Sequence, residues 1–170
     1  EIYTLSLHDA LPILAFNESY KIDRFNYLCM VEEHLLTDSD EPLERMVELM
    51  HGNIYNYHEI ALDYMHAGLD DEAILVLETA IDHHVEESPM TYYYLAYLSN
   101  MMDSVTYSQK AAQANPDYCF PNRMEDAYIL QELDFIPFFD DARAPYYLGC
   151  LYYDKRQYDL AIKYWEKSAK

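Results

Sequence analysis

The chain has 170 residues, 51% of them apolar, and a formal charge of −20; a chain of that length buries about two-thirds of its unfolded surface, so a domain with a real core is expected and disorder is not. Only three glycines occur, Gly52, Gly68 and Gly149, which argues against an all-β chain full of tight turns. A surface this acidic repels phosphate backbones and anionic headgroups, so nucleic acid and membrane surfaces are poor partners.

Glu1 to Ile13 reads EIYTLSLHDALPI. Over its whole length this string resembles the conceptual translation of a short-read sequencing adapter; the plainer reading is a weakly amphipathic natural helix. The resemblance implies a scar to be set aside in fold reasoning. His8 and Asp9 then belong to no site, residues 14–170 form the domain, and the natural protein continues upstream of Leu14.

Beyond about residue 20 one helical pattern follows another. Ile22, Phe25, Leu28, Cys29, Leu35 and Leu36 recur at helical spacing, and TDSDEP breaks the run. Asp40 is placed to cap the next helix, with Pro42 in its first turn; that helix carries Leu43, Met46, Val47 and Met50 and stops near Gly52. Residues 46–109 hold eleven Asp or Glu and no Lys or Arg, a solvated face first and a dock for a basic partner second.

Three stretches then repeat: IALDYMHAGLDDEAILVLETA from Ile60, YLAYLS from Tyr94, and YLGCLYYDKRQYDLAIKYWEKSA from Tyr147. A small residue at Ala61, Ala96 and Gly149 lets the first helix of each hairpin approach the second. Tyr64 and Tyr152 follow three residues on as space-filling rings, and Ala73 and Ala161 mark where the second helix crosses back. Gly68 supplies the turn, since it adopts a left-handed cap at no steric cost. Leu77 and Trp165 fill the inner face of the second helix. The middle unit is weaker: its second helix, SVTYSQKAAQA, reads as short, and Ser99 stands where a ring is usual. Between Ala96 and Gly149 an extra helix is expected over about Asn122 to Leu133, read as a degenerate repeat that lacks one of its two helices.

These residues resemble the tetratricopeptide repeat (TPR) family, most closely in the last stretch. The resemblance implies an all-α fold, a right-handed α-solenoid of stacked helical hairpins with about nine helices after the adapter-like segment. The order GLDDEAILVLE, YCFPNRMED, ARAPYYLGCLYYDKRQYDLAI is also similar, over roughly Phe25 to Lys170, to the C-terminal repeat region of bacterial proteins of unknown function. Their N-terminal part is a β-sandwich resembling sugar-mutarotase folds. The chain departs from that family at DFIPFFDDARAP, where a polar NPND-like turn is more usual. This second resemblance implies a β-rich domain upstream and transfers no catalytic residue.

No enzyme site emerges. Cys29, Cys119 and Cys150 lack disulfide or zinc spacing and read as free thiols in a reducing compartment. His51, His58 and His66 are separated by Gly52, and His58-Glu59 continues to Leu62 rather than a second His, so no HExxH metal site forms. His83-His84 suit a helix end, and Asp70-Asp71-Glu72 and Asp140-Asp141 suit helix starts. No cofactor and no metal is implied. No run of apolar residues is long enough to span a membrane, and no secretory signal is evident, so a cytoplasmic location is expected.

The outward positions of each first helix would line a concave groove. In that register they are Tyr55, His58, Leu62, Met65 and His66; Met90, Tyr93, Tyr97, Asn100 and Met101; and Arg143, Tyr146, Cys150 and Tyr153. The plainer reading is that these side chains pack between helices. A Tyr- and Met-rich groove with little positive charge suits an apolar or amphipathic peptide or helix. The expected function is therefore a non-enzymatic protein-interaction scaffold. The alternative is an accessory domain packed on a β-rich carbohydrate-acting or carbohydrate-binding domain, in which case its partner is its own upstream domain. An open repeat stack depends on its end caps, so self-association is expected if upstream sequence is missing.

Overall fold

In the computed structural model, residues 7–85, 87–133 and 141–170 are described, with side chains from Pro12 onward. Part of the adapter-like segment, the side chains of His8 and Asp9, and the whole of DFIPFFD, which ends at Asp140, lie outside these residues. The described residues form ten α-helices and no strand, and the chain divides into two units, Glu1–Glu86 and Glu87–Lys170. The all-α expectation holds.

The first unit contains α1 (Leu7–Ile22), α2 (Tyr27–Thr37), α3 (Glu41–Met50), α4 (Ile54–Ala67) and α5 (Asp70–Asp82). α1 runs without a break through Leu14. Its helices start and stop on local chemistry. Asn26 caps α2 by accepting from the Cys29 amide, and Asn53 caps α4 by accepting from the Tyr55 amide. α2 ends at Asp38 and α3 at His51, both in the left-handed conformation, and α4 ends at Gly68 with φ +74°. The Leu69 and Gly68 amides there close on the Tyr64 and Met65 carbonyls. Asp40 sits at the start of α3, but its side chain makes no cap bond. It lies 3.8 Å from His34 Nδ1 instead, so the expected cap is absent. The interior is mostly aliphatic, with Met30, Val31, Met46, Met50, Ala61, Ala73, Val76 and Leu77 buried together with the ring of Tyr57. Two tyrosines tie its helices together. Tyr20 donates to Glu33, which also accepts from Arg45, linking α1, α2 and α3; Tyr64 on α4 donates to Glu32 on α2.

The second unit contains α6 (Pro89–Leu98), α7 (Met101–Gln113), α8 (Met124–Glu132), α9 (Arg143–Asp154) and α10 (Tyr158–Ser168). α8 falls where the extra helix was expected. α7 does not match its expectation: it is a full 13 residues and begins at Met101. Its early start has a plain cause, because the Asn100 side chain accepts from the Met102 and Asp103 amides. α6 and α7 pair as a hairpin, as do α9 and α10. In the latter, Gly149 faces Trp165 so closely that a Cβ at position 149 would run into the indole. Ala161 beside it is fully buried, and Tyr152 stacks on Tyr164 with centroids 5.5 Å apart.

Candidate functional site

The second unit carries a cleft of about 660 Å³ between the loop 116–122 and one face of α9. The loop side consists of Pro116 to Asn122, and α9 contributes Arg143, Tyr146, Tyr147, Cys150 and Asp154. Each wall is positioned by buried polar chemistry. Asp126, only 4% exposed, accepts from the Asn122 and Arg123 amides at 2.9 and 3.0 Å and from the Tyr94 hydroxyl. A buried carboxylate with three donors is satisfied, and it fixes the loop's exit into α8. On the other wall Asp141 accepts from the Arg143 amide at 2.8 Å and from the Tyr93 hydroxyl, while Arg143 Nη1 donates to the Ala114 carbonyl. The start of α9 is thereby tied to α6 and to the end of α7.

The loop itself is unusual. Tyr118 has φ +61°, a left-handed conformation that costs a side-chain-bearing residue roughly 1–2 kcal/mol. Its side chain is 75% exposed and that of Phe120 69%. Two large rings are thus presented at the cleft rather than buried, one of them from a strained backbone.

The Cys119 thiol is not set up for nucleophilic chemistry. Burial pushes the Cys119 thiol up to about 11, so it stays protonated near neutral pH. Burial with Cys119 alongside raises the Tyr147 phenol, and a hydrogen bond with Cys150 raises that of Tyr146. Among the described residues no three His, Cys, Asp or Glu side chains are grouped as a metal site.

The sequence-expected groove positions scatter. Tyr146 lines the cleft with Arg143 and Cys150. Tyr153 is exposed but sits with Tyr158 and Trp165 instead. Tyr97 is partly exposed against Tyr128, and Tyr55 is exposed with its ring edge-on to His58. His58, Leu62, Met90 and Tyr93 are buried, which corrects their placement on an open face; Tyr93 spends its hydroxyl on Asp141. Met65 is half-buried and His66 exposed. Asn100 is exposed but belongs to the start of α7, with Met101, not to α6. Ala61, Tyr64, Ala73, Ala96 and Ala161 are buried, while Trp165 and Tyr152 are half-buried. The loop side of the cleft, with Tyr118 and Phe120, was not singled out from the sequence. The TYR–CYS–PHE–PRO run after Pro116 was the available signal, as apolar rings clustered in a segment bounded by prolines.

No family model matches the chain, and no curated protein matches it. Among solved structures the chain is similar to the crystal structure of MamA, with 21% sequence identity over 92% of this chain and 84% of that one, at a TM-score of 0.33. A superposition that loose leaves the all-α assignment resting on the helices described above.

Proposed function

We propose that the chain is a non-enzymatic helical-repeat scaffold that binds a peptide segment of another protein, with the cleft beside α9 holding the anchoring side chain. The observation that carries this reading is Tyr118, a ring displayed at the cleft mouth by a backbone conformation that costs stability. Such strain clusters at binding sites, and Tyr118, unlike Asp38 and His51, does not end a helix. The cleft volume lies in the range that encloses small ligands, so it suits one or two apolar side chains of a peptide rather than a whole helix. Exposed Tyr118, Phe120 and Tyr146 supply contact area at low entropy cost, with Arg143, Asn122, Asp117 and Asp154 to set orientation.

The test is selection of a phage-displayed random peptide library against the full chain, followed by fluorescence titration of the selected peptides. Tyr118→Gly should weaken binding about tenfold or more while stabilising the fold by up to about 1 kcal/mol, because it removes the ring and the strain together. Selected peptides that bind Tyr118→Gly and Phe120→Ala chains unchanged would place the site elsewhere.

A further inference from the structure

Two apolar faces on different units remain uncovered, and their surroundings carry opposite charge. On α2, Leu28 and Leu35 lie seven residues apart and so share a face, with Leu36 beside them; Leu35 and Leu36 are 46% and 45% exposed. Residues 32–48 around this stripe hold seven Asp or Glu and one basic residue, Arg45. On the second unit, Tyr153 and Tyr158 lie with ring centroids 5.5 Å apart, and Ile162 follows Tyr158 by one helical turn. All three are more than half exposed. Residues 155–170 hold five Lys or Arg against Asp159 and Glu166.

Exposed apolar patches with polar rims mark interaction surfaces, and the charges select the occupant. Pairing α2 with α2 of a second copy would set carboxylates against carboxylates, and pairing α10 with α10 would set ammonium groups together. Only α2 against α10 brings opposite signs to the rim of two apolar patches. We infer that copies of this chain associate head to tail, the α10 face of one seated on the α2 face of the next. Such an interface is heterologous, because it joins different surfaces of the two copies. The faces involved are not those of the cleft, so this inference stands apart from peptide binding.

Sedimentation equilibrium of the full chain over a wide concentration range tests it. The expected result is an average mass that rises with concentration above that of a single copy, and that falls as added salt screens the rim charges. A Leu28→Lys/Leu35→Lys chain and a Lys163→Glu/Lys167→Glu chain, each altered only at exposed positions, should each lose association at least about tenfold when alone. Mixed together they should regain it, since the unaltered α10 face of the first then meets the unaltered α2 face of the second. A single-copy mass throughout, variants that associate as the parent chain does, or variants that do not recover on mixing would each overturn the inference.

Discussion

The two units build the same kind of element, paired α-helices, from different material. Residues 1–86 carry nineteen Asp or Glu against three Lys or Arg, and six tyrosines; residues 87–170 carry twelve against eight, and thirteen tyrosines with the one tryptophan. The first unit fills its interior mostly with Met, Leu, Ile and Val, with Tyr57 and Tyr64 among them. The second buries Tyr93, Tyr94 and Tyr147 beside its leucines, and a buried hydroxyl is costly without an acceptor. Tyr93 and Tyr94 find theirs in Asp141 and Asp126, at the starts of α9 and α8. The walls of the cleft are held by those same two carboxylates. Two buried tyrosine hydroxyls are thus matched by acidic groups, and the fixed positions of those groups shape the cleft of the second unit.

High pH should break this contrast most completely. The native-state phenols of Tyr93, Tyr94 and Tyr147 are raised from the ordinary value of 10.0, first by burial and then by Asp141, Asp126 and Cys119 respectively. In the first unit Tyr20 and Tyr64 are raised too, and burial takes Tyr57 to about 12. The folded chain therefore keeps protons that the unfolded chain gives up above pH 10. Stability is level below pH 10 and falls as pH climbs beyond it. The expected outcome is a late, cooperative rise of phenolate absorbance that coincides with loss of helical circular dichroism. Phenols that ionise near pH 10 with helicity intact would show that they do not hold the core.

A smaller effect separates the buried tyrosine–carboxylate pair from the exposed one. Asp126→Ala removes two amide acceptors and leaves the Tyr94 hydroxyl buried without a carboxylate, which should cost about 3 kcal/mol in urea unfolding. Tyr64→Phe removes a hydroxyl whose partner Glu32 is exposed, and water replaces it at a cost of no more than about 1 kcal/mol. Equal losses for the two would mean that burial of the carboxylate is not what distinguishes the units.

Much of the architecture was legible because it is local. Helical spacing, the small residues at 61, 96 and 149, and Gly68 at its turn are read within a few residues of each other, and α8 lies where its pattern put it. The site was less legible because it depends on partners far apart in sequence. Tyr93 meets Asp141 across 48 positions and Tyr94 meets Asp126 across 32, and neither pairing has a periodic signature. A one-face register applied to α4 and α6 therefore put His58, Leu62 and Tyr93 on an open groove, although these helices are nearly surrounded and bury residues on several faces. The backbone strain at Tyr118 has no sequence marker either, since nothing in the residue type announces a positive φ.

The finest distinction concerns two helix starts with equally good capping residues. Asn100 accepts from two amides of α7, so Asn100→Ala should cost about 1 kcal/mol and fray the first turn. Asp40 occupies the same position before α3 but caps nothing, and its contact with His34 is largely solvent-exposed. Asp40→Ala should therefore change stability by less than about 0.5 kcal/mol. Amide hydrogen exchange over the first turns of α3 and α7 reads both at once. Faster exchange at Met102 and Asp103 in the first variant, with Leu43 and Glu44 unmoved in the second, is the expected pattern. The reverse pattern would mean that capping follows residue type alone, and that the bent-away side chain of Asp40 is not how this helix begins.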